Sequence, residues 1–595
     1  MTVSSTWGGR KRELDREADR VAYLNNLKLY SRLKPQHMQT THHNFMADFS
    51  DSDRPRKKAR LSDLTASTES PPKDEFNWSW PADLDPSTIK PISPPPLARH
   101  NKGKEKQQEQ HTITQASPFQ LTNIRDLPAS ANVDTVTLSD ILGDPMIKEQ
   151  WQFNFLLDID FIMSHLDEDV RDTVQTKIIH GFHQPNNLSR VSLEAAAKKY
   201  PNVETMHIWL PAYGTHHSKM MILIRHDDTA QVVIHTANMI SQDWTNLTQA
   251  VWRSPLLPLS RAEKETSEAP IGSGTRFKQE LLNYLQGYKS KFRDPTRPLI
   301  DQLKQYDFSS VKAALVASVP GKQQIGMDIT NSKQSLWGWP GLERVLKDIP
   351  PTTPASRAQI NVQISSIGTL YQKWLNGFFD VLRTTSDKQP KHDSASVLVI
   401  FPTADEIRRS LDGYQSGSSI HMKLDSDVQK KQLSYMKPLL CTWAGDTNGD
   451  RNGVQQAGRR RAAPHIKTFI RFSDKDCNKI NWTLVTSANL SKQAWGEMAN
   501  KNREVSISSF EIGVLVCPQW LAGEGEKACM VPVFKKDNPD VTTISEAASK
   551  TIGVRMPYDL PLAPYTGNEV PWCAERPHDE PDWKGIMWQT YNPRM

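Results

Sequence analysis

The sequence predicts an α/β protein with two similar domains, each built on a covered sheet, behind a disordered N-terminal tail. Three observations predict it. Strand-like and helix-like apolar runs alternate through two successive stretches of the chain. A short polar pattern occurs twice in the same order, once around His217 and once around His465. Residues 1–116, by contrast, are too polar to offset the entropy of ordering them.

At 595 residues the chain exceeds one ordinary core, so two or more domains are expected. The division that follows is a tail over 1–116, a first domain over 117–321 and a second over 322–595. Net charge is +6, compatible with a nucleic-acid partner without demanding one. Five scattered cysteines without a Cys-x-x-Cys pair are expected to be free thiols in a reducing compartment. No apolar run approaches the roughly 20 residues of a membrane span, and the N-terminus lacks a signal-peptide core. A soluble, intracellular protein is expected.

Within the tail, a short helix is expected over Arg12–Leu33, and Pro and Ser cluster at Pro91–Pro96. The basic run Arg54-Pro55-Arg56-Lys57-Lys58-Ala59-Arg60 fits a nuclear-import signal or a nucleic-acid patch, and equally a solvated charge run. Order is expected from Pro118. The apolar-aromatic stretch Trp151–Ile162 reads as a buried helix. Val203–Leu210, Met220–Ile224 and Val232–His235 read as strands. Phe277–Leu285 has helical period, and Ala313–Val319 closes the first half as a strand. In the second half Gly341–Leu346, Leu370–Leu382 and Ser426–Lys437 read as helices, the last stopped by Pro438. Val362–Ile367, Val397–Phe401, His465–Phe472, Trp482–Thr486 and Ile512–Val516 read as extended. Arg383–Ser394 and Gly445–Arg461 read as surface loops.

The repeated pattern carries the chemistry. His217-Ser218-Lys219 is followed by an apolar run, then Asn238 and, six residues on, Trp244. His465-Ile466-Lys467 is followed by an apolar run, then Asn489 and, six residues on, Trp495. In extended backbone, residues two apart share a face, so each copy presents an imidazole beside an ammonium. Phosphodiester cleavage needs an attacking group, an acid for the leaving oxygen and a cradle for equatorial charge. Two imidazoles near pKa 6.5 supply the first two services, and Lys219, Lys467, Asn238 and Asn489 the third, with no metal or cofactor called for. Gln249 and Glu511, each opening a later strand-like stretch, could bond the remote ring nitrogens. Taken singly these residues have bland readings: either Asn could cap the helix after it, and Gln249 and Glu511 could be ordinary strand-edge residues. His216 and His235 read as structural. The joint repeat favours the catalytic reading.

These residues resemble the phospholipase D superfamily, whose signature is a paired His-x-Lys. The usual Asp five residues after each Lys is replaced by Ile224 and Phe472. That departure fits the tyrosyl-DNA phosphodiesterase branch. Gly214–Met221, Val233–Asn238, Pro464–Thr468, Leu484–Lys492 and Met556–Pro561 are similar to its members, and the likeness spans residue 118 to the C-terminus. The resemblance implies two phospholipase D-like domains, each a mixed sheet flanked by helices and related by a pseudo-two-fold. It implies a monomeric nuclear DNA-repair enzyme that frees a 3′-phosphate end from a topoisomerase tyrosyl peptide, on mainly single-stranded or end-frayed DNA. It makes His217 the nucleophile and His465 the general acid-base, an assignment the residues alone leave open. It makes Ser365 and Ser366 binders of DNA phosphate and Phe155 and Tyr213 cleft aromatics, with core packing an equal reading of Phe155. Arg459-Arg460-Arg461, just before His465, is expected to attract nucleic acid. A lipid or general nucleic-acid phosphodiesterase, and an inactive nucleic-acid-binding scaffold, stay open as alternatives. The missing Asp and the basic tail count against the first, the intact His-x-Lys pairs against the second.

Overall fold

The computed structural model describes residues 113–589 apart from 261–268, 326–334, 352–356, 387–394, 445–454, 500–503 and 541–547. The helix expected over Arg12–Leu33, the run Arg54–Arg60 and most of both expected surface loops lie outside the described residues.

Two mixed sheets organise the chain. Side by side, the first runs Gln120–Leu121, Ala250–Arg253, Thr229–His235, Met220–Arg225, Ile147–Phe153, Gln175–His180, Val203–His207. The second contains Ala314–Ser318, Glu511–Val516, Ile480–Thr486, Thr468–Phe472, Gln359–Gln363, Ser396–Ile400, Leu440–Cys441 in the same spatial order. The orientations also repeat. The first four pairings in each series are antiparallel and the last two parallel. One topology is thus built twice, which is the duplicated domain the repeated pattern implied.

Packing explains why the central strands read as unbroken apolar runs. Along Met220–Arg225, Met220, Ile222 and Ile224 enter one cluster while Met221 and Leu223 enter another. Ile512, Val514 and Val516 share the first of these clusters, and Leu515 enters a third. Both faces of each sheet are therefore covered, and the cluster taking alternate residues from both sheets fuses the two halves. Outer helices close the remaining faces: Ile159–Met163 and Leu188–Ala197 on the first sheet, Gly338–Leu346 and Gln372–Arg383 on the second.

Two sequence expectations are corrected. Trp151–Ile162 is not one helix: Ile147–Phe153 is a central strand, and only Ile159–Met163 is helical. Trp151 and Phe153 face the shared core while Gln150 and Gln152, both fully buried, bond each other, with Gln150 also reaching Thr176. Gln150-Trp151-Gln152-Phe153 does alternate with the period of two that marks a strand, but the apolar residues that follow it in sequence draw the reading toward a single helix. The strand at Ala314–Ser318, expected to close the first half, instead pairs with Glu511–Val516 and opens the second sheet.

Candidate active site

The two His-x-Lys segments are extended backbone just ahead of the Met220–Arg225 and Thr468–Phe472 strands, not part of them. What holds them is backbone from the opposite half. His217 N–H donates to Phe510 O at 3.0 Å, and His465 N–H to Thr248 O at 3.2 Å. Phe510 and Thr248 immediately precede Glu511 and Gln249. The pairing therefore carries each supporting side chain to the other half's histidine. Glu511 Oε2 lies 3.0 Å from His217 Nδ1, and Gln249 Nε2 lies 2.9 Å from His465 Nδ1.

Hydroxyls two residues before each asparagine fix the supports in turn. Thr236 Oγ1 donates to Gln249 Oε1 at 2.8 Å and accepts from Ala250 N at 2.9 Å. Ser487 Oγ donates to Glu511 Oε2 at 2.5 Å and accepts from Ile512 N at 2.9 Å. The repeated tryptophans hold the asparagine turns: Trp244 Nε1 donates to Asn238 O and Trp495 Nε1 to Asn489 O, each at 3.0 Å. Neither asparagine caps its following helix, which are capped by Ile240 and Ser491. Asn489 Oδ1 accepts from Ser365 N, Ser365 Oγ and Ser366 N at 3.0, 3.2 and 2.9 Å, which aims its amide N–H₂ elsewhere.

Lys219 and Lys467 are fully buried. Lys219 Nζ donates to His217 O at 3.1 Å, and Lys467 Nζ donates to His465 O. An ammonium has three protons, so donors remain for a ligand. Burial pulls Lys219 down to about 8 despite Glu511 and Asp243 nearby. Burial and the charge of Lys219 together hold Lys467 well below its ordinary value. Two buried cations within each other's field are costly, and a bound anion relieves that cost. The arrangement is an anion cradle.

Burial lowers His217, with Glu511 opposing and the two lysines reinforcing the shift. Burial lowers His465 to about 3, with Lys467 reinforcing and Asp243 opposing. Burial alone would raise Glu511, but His217, Ser487 and Lys219 outweigh it and hold the carboxyl below its ordinary value. Both imidazoles are thus neutral at neutral pH. An incoming phosphodiester anion offsets the lysine field and lets one of them take up a proton.

Sequence reasoning missed Asp243. Its Oδ2 is 3.1 Å from His465 Nδ1 and accepts Asn238 N–H at 2.7 Å, so one buried carboxylate joins a histidine of the second half to an asparagine of the first. The repeat hid it, because the matching position five residues after Asn489 is Ala494. The signal available was an acidic residue just ahead of Trp244.

The remaining candidates fall around this centre. The Phe155 ring is 5.6 Å from that of His217 and 6.0 Å from Lys219 Nζ. Tyr213 is half-exposed with φ 62°. Ser365 is fully buried with its hydroxyl on Asn489, while Ser366 is partly exposed. The structural reading of His216 holds, since its two nitrogens meet Asn154 O and Tyr288 Oη. His235 is fully buried, its ring 5.7 Å from that of Trp244, which fits its structural reading. The arginine triplet is a correction: Arg459 is buried with its guanidinium on Thr122 O, Arg460 is paired with Asp559, and only Arg461 is exposed. Among the described residues no cluster of His, Cys, Asp or Glu could hold a metal ion, and no helix is long and apolar enough to cross a membrane.

Glu511→Gln keeps an acceptor for Nδ1 and removes the charge. We expect kcat to fall by about a hundredfold or more. Because the carboxylate opposes the lowering of His217, its loss should also move the acid limb of the pH–kcat/KM profile to lower pH, as a pH-rate series would read. A limb that moves to higher pH would contradict the pairing.

A family model described as tyrosyl-DNA phosphodiesterase matches residues 118–566. A probable tyrosyl-DNA phosphodiesterase of Schizosaccharomyces pombe is 31% identical over 544 residues, covering 79% of this chain and 95% of that protein. Tyrosyl-DNA phosphodiesterase 1 of Arabidopsis thaliana is 31% identical over 500 residues, covering 79% and 76%. A crystal structure of the yeast tyrosyl-DNA phosphodiesterase is alike in fold, with a TM-score of 0.54 at 21% identity over 77% of this chain and 99% of that one. With about three-quarters of its length matched in sequence and its fold alike in structure, the chain is an enzyme of the tyrosyl-DNA phosphodiesterase family.

Proposed function

We propose that the protein hydrolyses the 3′-phosphotyrosyl bond between DNA and a stalled topoisomerase peptide through a covalent phosphohistidine, without a metal ion. The observation that carries the reading is the crossed support. Each imidazole has its Nδ1 engaged by the opposite half, which leaves Nε2 for the substrate. His217 Nε2 attacks phosphorus, and its Nδ1 proton is held on Glu511. The P–O bond to tyrosine breaks, and the phenolic oxygen takes a proton from His465. His465 then accepts a proton from water, the water oxygen attacks phosphorus, and the P–N bond to His217 breaks. The products are a tyrosyl peptide and a DNA 3′-phosphate. Lys219, Lys467, Asn238 and Asn489 hold the equatorial oxygens throughout, in place of the metal ion of other phosphoryl-transfer sites.

In this reading the two halves act as a monomer with one shared site, Phe155 and Tyr213 flank single-stranded or frayed DNA, and the Arg54–Arg60 run directs the chain to the nucleus. The decisive assay mixes the protein, in EDTA, with an oligonucleotide bearing a 3′-phosphotyrosine. Tyrosine release at an undiminished rate is expected. No release by the wild-type protein would end the reading, and release only after added metal would end its metal-free mechanism.

A further inference from the structure

A third imidazole borders the same cleft. The short strand His421–Met422 pairs in parallel with Ser366–Ile367, Ser366 opposite His421 and Ile367 opposite Met422. Residues opposite one another in paired strands project to the same side. Ile367 and Met422 are both buried in the second-half core, so Ser366 and His421 emerge together on the other face, where both are partly exposed. The strand is firmly placed. His421 N–H donates to Ser365 O at 2.9 Å, and Ser365 and Ser366 in turn hold Asn489. The preceding turn is tied to the first half by Gln242 Nε2, which donates to Gln415 O and Ser418 Oγ at 3.0 Å each. The ring itself makes no hydrogen bond among the described residues.

We propose that His421 is a substrate-binding residue that, with Ser366, donates a hydrogen bond to the DNA phosphate neighbouring the scissile one. This rests on the DNA reading above. The charged and titratable groups acting on the ring are Lys423, Lys467 and His217. Burial and these neighbours hold it down to about 4, so at neutral pH it donates as a neutral imidazole. A phosphate anion beside it opposes the lysine field and favours the imidazolium. DNA binding is then linked to proton uptake at His421 and tightens as pH falls.

The test uses the full chain as His421→Ala and His421→Gln. The substrates are a 3′-phosphotyrosyl oligonucleotide and a single thymidine 3′-phosphodiester of p-nitrophenol, which lacks the neighbouring phosphate. On the oligonucleotide both variants should raise KM about tenfold with kcat within about twofold of wild type. The penalty should be larger at pH 5.5 than at pH 8, and KM for the mononucleotide should not move. An oligonucleotide KM that stays unchanged, or one that rises equally on both substrates, overturns the proposal. Failure of the wild-type protein on the oligonucleotide is a different result, and it overturns the DNA reading instead.

Discussion

His217→Ala is expected to lower kcat on a 3′-phosphotyrosyl oligonucleotide on the order of ten-thousand-fold or more. Without this ring the cradle of Lys219, Lys467 and the two asparagines still binds phosphate, but nothing in line can attack it. The loss should fall on kcat, with KM near wild type, because the phosphate contacts survive. No protein–DNA adduct should form, since its attachment atom is gone. The variant also strands Glu511, which is 5% exposed, without its main partner. Thermal unfolding must therefore be followed alongside, and His217→Asn serves as a check that keeps a polar neighbour for the carboxylate. A kcat within tenfold of wild type in a folded variant would remove His217 from the chemistry.

His465→Ala is expected to behave differently. Its first step loses only an acid, and a phenol with pKa near 10 leaves without much help. Its second step loses the base that activates water, and general-base removal costs roughly a hundred- to ten-thousand-fold. Hydrolysis of the intermediate therefore slows more than its formation. Turnover should collapse while a covalent protein–DNA species accumulates, visible as a shifted band on a denaturing gel. The band should vanish in the double variant with His217→Ala. If His465→Ala is inactive yet yields no band, the two-step scheme fails.

What could be read from the sequence was whatever the duplication wrote twice. His217 and His465, Lys219 and Lys467, Asn238 and Asn489, Gln249 and Glu511 stand out because each has a twin at a matching place, and a pair of coincidences is harder to dismiss than one. What had no twin was lost. Asp243 matches Ala494, and His421 lies in a short strand outside the repeated pattern. The central strand Ile147–Phe153 was lost for another reason: its period-two stretch Gln150–Phe153 runs on into apolar and helical residues through Ile162, and the two signals were read as one element. Long-range pairing hid the rest. Nothing local says that Ala314–Ser318 crosses to the second sheet, or that Glu511 serves the histidine 294 residues before it rather than the nearer one.

That exchange of partners has a mechanical corollary. Each imidazole is aimed by a group that travels with the other half of the molecule. A hinge motion that parts the halves would release both rings together, leaving no intermediate state in which one histidine is armed and the other idle. The site is therefore armed or disarmed as a whole.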